Sequence, residues 1–344
     1  LISSIGVNRN AKRVAVVHIS FNVIGTTVCL ILFYGGDLLF HFGFMDQPVG
    51  AVGIAFCHTA FNVFTTALLL PFSRQLEKLA RRLVRSETVS GDLAILDPLL
   101  LRTPGAAVSE SVAVAGRMGQ AAWENLHLAI RQLSDYSRQR EEEILKAEDK
   151  LDTYEDRLDN YLVEASQHGL SSQDMNTVSR LLRAVGDFER IGDHAVNIQE
   201  SAQELHDKGL RFSDHAQEEL RVLLDALEEI LDLTLRGFLE DDAALCRQVE
   251  PLEETVDQLI QEIRTRHIQR LQAGQCTIEL GFVLSDLLTN LERVSDHCSN
   301  IALSVIQEQD GGAGQHASAQ ELKAAGSFGE DLRRDQRKYR LPEA

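Results

Sequence analysis

DFERIGDHAVNIQE, residues 187–200, returns 103 positions later as NLERVSDHCSNIAL, residues 290–303. Glu189, Arg190, Asp193, His194, Asn197 and Ile198 recur as Glu292, Arg293, Asp296, His297, Asn300 and Ile301. One helix earlier, KLDTYE and TVDQLI align Asp152 with Asp257 at an offset of 105, so two residues gained in an intervening turn reconcile the copies. Around the first copy Val178, Leu181, Val185, Phe188, Ala195, Ile198, Ala202 and Leu205 advance by threes and fours. That spacing is one apolar seam of a packed helix. The chain therefore reads as a helical unit made twice.

Punctuation divides the rest of the region. HGLSSQD around Gly169, DKGLRFSD around Gly209 and QAGQC around Gly274 interrupt an otherwise helical pattern, and Ser171 and Ser213 stand where N-caps belong. Six helices follow, at roughly 106–138, 141–168, 172–207, 213–240, 243–272 and 276–308. Grouped in threes they make two bundles, over about 106–207 and 213–309. A linker with Gly91, Pro98 and Pro104 precedes them at 86–105, and a flexible tail follows at 310–344, where FGEDLRRDQRKY is a candidate short helix.

The head differs. Up to Arg85 there are 8 Lys/Arg against 3 Asp/Glu, a local charge of +5, whereas the remainder carries 26 against 49, or −23. Such an acidic body repels phosphodiesters and argues against a nucleic-acid partner. Val14–Gly36 and Gln47–Ser73 contain no Asp, Glu, Lys or Arg. Both exceed the roughly 20 apolar residues a helix needs to cross a bilayer, so spans are expected at about 14–36 and 47–73. Arg9, Lys12 and Arg13 precede the first, and Arg74, Lys78, Arg81, Arg82 and Arg85 follow the second. The positive-inside rule then places both outer ends, and the acidic body, in the cytoplasm. The two stretches share H-x-x-F-N-V: His18, Asn22 and Thr26 in one and His58, Asn62 and Thr66 in the other lie four apart. Each trio shares a helix face. It suits interhelical hydrogen bonding or contact with a transported solute. The five cysteines form no CxxC pair and read as reduced thiols. Leu1 is no initiator Met, and a piece of a longer protein is expected.

The duplicated carboxylates admit three readings. On a helix Glu189, Asp193 and Asn197 share a face, as do Glu292, Asp296 and Asn300. With Asp152 and Asp257 approaching from a neighbouring helix, each face supplies oxygen donors for a hard or borderline cation. The same residues also make ordinary salt-bridge patterning, or a surface for a partner. His194 and His297 point about 100° away and need not join the ligands. With no P-loop, HExxH or GxSxG pattern, no enzyme is indicated.

DFERIGDHAVNIQE closely resembles the signature of PhoU domains, tandem three-helix bundles with an E-x-x-x-D motif in each repeat. The resemblance runs from about Thr103 to Gln309 and carries Glu189, Asp193, Glu292 and Asp296 into the motif positions. It implies iron or zinc there. Asp187 has Asn290 as its counterpart, which implies weaker binding in the second bundle. In the head, GVNRNAKRVAVVH, FNVIG and GIAFCHTAFNVFTTALLLPF resemble the end of bacterial sodium/phosphate cotransporter family proteins. What the two resemblances imply together is an all-α chain. A transmembrane helical hairpin at 1–85, the last part of a polytopic transporter, would be followed by a cytoplasmic PhoU-like domain at 106–309. The implied function is sodium-coupled phosphate symport across the plasma (inner) membrane, multi-pass, with a regulatory domain attached. Membrane lipid, inorganic phosphate, sodium, the transporter half upstream of Leu1 and a homodimeric copy are the implied partners. A membrane-tethered, metal-binding signalling adaptor without transport activity is the alternative.

Overall fold

The computed structural model describes residues 9–43, 50–70, 96–310, 322–323 and 328–342. The basic cluster at 74–85, the first half of the linker (86–95) and the first part of the tail lie outside the described residues, as do the side chains of Arg9, Lys12 and Arg13. The chain forms two compact units, Leu1–Thr88 and Val89–Ala344.

In the first unit, α1 spans Arg9–Phe40 and α2 spans Ala51–Leu69. They pack on each other where Gly25 lies against buried Thr65, and a Cβ on Gly25 would collide with that threonine. Small residues permit such close helix approach. The expected polar faces lie beside this seam. His18, Thr26, His58 and Thr66 are exposed, and Asn22 and Asn62 bond within their own helices to the His18 carbonyl (2.9 Å) and His58 Nε2 (3.1 Å). Two full-length spans were expected. Among the described residues, one stretch, Val16–Phe40, is long and apolar enough to cross a membrane, while Gly53–Leu69 is shorter. The ends of the second expected span, 47–49 and 71–73, lie outside the described residues.

The second unit is all helical among its described residues. A 3-10 turn, Pro98–Arg102, leads into α3 (Pro104–Gln132), α4 (Arg138–Ser166) and α5 (Ser172–Asp207). The second copy comprises α6 (Asp214–Glu240), the short α7 (Ala243–Cys246), α8 (Val249–Gln272) and α9 (Ile278–Asp310). Gly169, Gly209 and Gly274 hold positive φ of 71°, 63° and 68° in the connecting turns, a conformation glycine adopts without steric cost. Ser171 Oγ accepts the Asp174 amide at 3.1 Å and Ser213 Oγ the Ala216 amide at 3.3 Å, so both are N-caps.

The fifth helix is not continuous from 243 to 272. It breaks after Cys246 and restarts at Val249, with Pro251 in the new first turn. Proline has no amide hydrogen for the preceding turn and is tolerated only at such a start. Every member of the apolar seam named above is buried. Phe188 and Phe238 meet edge-on at 5.2 Å in the core.

α5 and α9 form the main contact between repeats, with a smaller one between α3 and α6. Thr177 bonds Glu308, Asp187 bonds His297 and His194 bonds Asn290. Positions rising along α5 thus meet positions falling along α9, and the two helices run antiparallel about a pseudo-twofold axis. The stretch read as a flexible tail has a packed end. α10 (Phe328–Lys338) lies on α8, and Tyr339 and Leu341 beyond it enter the core.

Two carboxylate clusters and the seam between them

Gly192 sits beside Asp193, and a Cβ there would come 2.5 Å from Leu151 Cδ1. The glycine lets α4 approach α5 and brings Asp152, next to Leu151, toward Asp193. Glu148, Asp152 and Asp193 then each offer a carboxylate oxygen within 4.8 Å of the others. Glu189, 4 % exposed, lies one turn before Asp193, and Glu155 and Asp159 extend the acidic face of α4. The cation beside them is exposed Arg190, 3.6 Å from Glu189 and 3.4 Å from Asp193.

Crowding shows in the protonation. Burial, then Asp193 and Glu155, pushes Glu189 up to about 8. Burial, then Asp159 and Asp152, raises Glu155 to about 7. Asp193 is raised by burial and Asp159 by burial and Asp156. Buried carboxyls of like charge favour the neutral form until a cation arrives.

The second cluster is built alike from Glu253 and Asp257 on α8 and Glu292 and Asp296 on α9. Burial, then Asp257 and Glu250, lifts Glu253 to about 8, and burial, then Glu292 and Asp296, lifts Asp257 to about 6. Arg293 stands 3.4 Å from Asp296, the twin of Arg190 on Asp193. Two further cations join this cluster. Arg264 Nη2 reaches Glu292 at 2.8 Å, and Lys323, from the chain after α9, reaches Glu254 at 3.3 Å and Glu250 at 3.5 Å. At the offset of 105, Arg264 stands where the first repeat has Asp159, and Ile260 where it has Glu155. The first cluster is the more strongly acidic, and among the described residues only it gathers three ligand atoms so closely.

The donors fit a cation. All are carboxylate oxygens, the neighbouring charges repel one another, and Asp159 Oδ1 and Asp257 Oδ1 are buried without a hydrogen-bond partner among the described residues. Glu148 and Glu253 were missed in the sequence. They repeat at the same offset of 105 as Asp152 and Asp257 and complete an E-x-x-x-D pair on each first-contributing helix. Asn197 does not enter the cluster: its amide donates to Asn290 Oδ1 at 3.1 Å.

The histidines define a separate feature. Their rings lie 5.6 Å apart across the α5–α9 seam. His194 Nδ1 donates to Asn290 Oδ1 at 2.8 Å, since an amide oxygen can only accept, and burial lowers the His194 pKa. His297 Nδ1 meets Asp187 Oδ1 at 2.8 Å. Positions 187 and 290 therefore each face the opposite repeat's histidine. Asn290, expected to weaken the second acidic site, instead faces His194, and what sets the second cluster apart is Arg264 and Lys323.

Raised carboxyl pKa values predict a pH dependence. Glu189 keeps its proton to about pH 8 when folded but loses it near its ordinary 4.5 when unfolded. The folded state binds more protons in that window, so this group's contribution to stability falls as pH rises through it. Glu189→Gln should flatten the fall in the melting temperature of the metal-free protein between those limits; an unchanged profile would refute the assignment.

This arrangement defines a class: a duplicated three-helix-bundle protein with one carboxylate cluster per repeat. The PhoU domain family model matches residues 115–202 and 220–305, half of the chain. The chain belongs to the PhoU domain family. The phosphate-specific transport system accessory protein PhoU homolog 1 of Thermotoga maritima is 25% identical over 190 residues, covering 55% of this chain and 81% of that protein. The PhoU homolog of Clostridium acetobutylicum is 22% identical over 192 residues, covering 55% and 86%. The crystal structure of PhoU from Pseudomonas aeruginosa superposes with TM-score 0.56 at 22% identity, over 61% of this chain and 99% of that one. The phosphate transport system regulatory protein PhoU from Streptococcus pneumoniae gives 0.54 at 18%, over 61% and 98%. At those identities the structural likeness shows the fold.

Proposed function

We propose that this chain is a regulatory module of phosphate uptake, not an enzyme, whose acidic clusters hold divalent cations and whose apolar head attaches it to the cytoplasmic face of a membrane. The observation that carries the reading is the trio Glu148, Asp152 and Asp193 with Glu189 behind it, inside a PhoU fold. Among the described residues the close trio offers carboxylate oxygens alone, which suits iron, or a harder divalent ion such as manganese, better than zinc. The relatives named above are accessory proteins of phosphate transport, which supports a regulatory role. The test is 32P-phosphate uptake by cells carrying the chain with Glu189→Gln and Asp193→Asn together. Altered uptake regulation at equal protein level supports the reading, and wild-type behaviour refutes it.

The repeated H-x-x-F-N-V of the head favours a finer reading, the end of a sodium/phosphate symporter. Sodium-dependent uptake by the full reading frame would support it, and sodium-independent or absent uptake would leave the tethered adaptor. Either way, the full chain should sediment with membranes and resist alkaline carbonate, whereas a chain beginning at residue 96 should not. Recovery of the full chain in the soluble fraction would refute the anchor.

Lys323 acts in this reading as a built-in counter-cation of the second cluster. Lys323→Gln should raise that cluster's affinity for manganese roughly threefold to tenfold, the effect of one partly screened charge. Calorimetry on a background of Asp193→Asn isolates the second cluster; an unchanged affinity would show the lysine to be a bystander.

A further inference from the structure

A cavity of about 740 Å³ opens where the ends of α3 and α5, the connector Gly209–Phe212 and the face of α6 meet. It lies apart from the carboxylate clusters: His206, on its wall, is 13 residues beyond Asp193 on α5, or roughly 20 Å along a helix. Its floor is apolar, with Leu205, Leu220 and Leu231 buried. Tyr136 and His206 stack on one wall with ring centroids 4.3 Å apart.

Arg131, Arg211 and Arg221 line this one cavity from three different elements. Among the described residues none of the three guanidinium groups makes an ion pair or a side-chain hydrogen bond. That is unexpected in a unit so rich in carboxylates. Elsewhere Arg180, Arg264, Arg266 and Arg270 all find acidic partners. Of the two carboxylates on the rim, Asp225 and Glu228, the second faces His127 at 3.9 Å. The cavity thus concentrates unneutralised positive charge over a leucine floor beside an aromatic wall. Its volume is that of a small-molecule site. Guanidinium forks match phosphate oxygens in pairs, and a flat ring suits the stacked wall.

We propose that this cavity binds a nucleoside phosphate. The phosphates lie on Arg131, Arg211 and Arg221, and the base rests on the Tyr136–His206 wall above the leucines. The acidic net charge of the protein opposes approach at long range, so recognition depends on these close contacts.

The test is titration calorimetry on the full chain in mild detergent, with EDTA present so that no metal in the acidic clusters can bridge to phosphate. ATP and AMP are the probes, and inorganic phosphate and adenosine the comparisons. One saturable site per chain is expected, tighter for ATP than for AMP and tighter for both than for either comparison. Arg211→Ala and Arg221→Ala should each weaken ATP binding about tenfold or more with unchanged helicity, while Arg236→Ala, at an exposed arginine on α6 outside the cavity, leaves it unaltered. Absence of saturable nucleotide binding would overturn the proposal. So would binding that ignores the arginine variants, or inorganic phosphate binding as tightly as ATP.

Discussion

Asp193→Asn should lower the affinity of the first cluster for a divalent cation by about two orders of magnitude or more while leaving the helices intact. Loss of a group that merely orients a metal ligand costs about 10–100-fold, and here a charged donor itself is neutralised. Asp193 is one of the three groups with oxygens within 4.8 Å of one another. Its side chain is 29 % exposed and contacts Arg190 at 3.4 Å, so no core packing depends on it. The metal-free variant should be slightly more stable than wild type near pH 8, because one member of a repelling set is gone. Asp296→Asn should matter less, since Arg264 and Lys323 already neutralise part of the second cluster. Elemental analysis and manganese titration of both variants beside wild type measure this. If Asp193 merely paired with Arg190, the change would cost about 0–1 kcal/mol and metal content would be unaltered.

How far the site could be read in advance depended on whether the information was local. The seam from Val178 to Leu205 is local: helical spacing alone names the buried face, and all of it is buried. The duplicated motif is equally local, and the same offset of 105 relates Glu148 to Glu253, one turn before Asp152 and Asp257. Asp187 and His194 are seven apart and share a helix face, as Asn290 and His297 do. What that spacing cannot show is that each face meets the other repeat, which requires the antiparallel docking of α5 on α9. Arg264 lies seven residues after Asp257 on the same face of α8, so spacing places it too, whereas Lys323 enters the second cluster from beyond α9 and no periodicity announces it. In the head, spacing by four picked out polar trios, whereas contact between α1 and α2 follows the small pair Gly25 and Thr65. Close approach depends on what is missing from a side chain, and that is weakly marked in a pattern of polar residues.

The ends of the α5–α9 seam carry the second large prediction, because the pseudo-twofold relates them and chemistry does not. At one end Arg180, 4 % exposed, reaches Glu308 at 2.6 Å and Asp241 at 2.5 Å and lies over Phe238 at 5.5 Å. The Nε contact to Glu308 is an ion contact lying off the hydrogen-bond axis. At the offset of 103, Arg180 corresponds to Val283 and Leu205 to Glu308. Val283 and Leu205 pack together with Leu280 in an apolar cluster at the opposite end. One end of the seam is therefore ionic where its twin is hydrophobic. Arg180→Ala should destabilise the domain by about 3–5 kcal/mol, because it strands Glu308 without its buried cation; Asp241, largely exposed, is rehydrated and adds little. The double variant Arg180→Val with Glu308→Leu copies the other end and removes both desolvated charges together. It should recover most of that loss and could equal the wild type, since well-packed apolar groups commonly replace a buried ion pair at no net cost. Chemical denaturation of the three proteins distinguishes the cases. A single variant costing under about 1 kcal/mol would show the ion pair to be effectively solvated. A double variant no more stable than the single would show that Arg180 holds the seam through Phe238 and Asp241, not through Glu308.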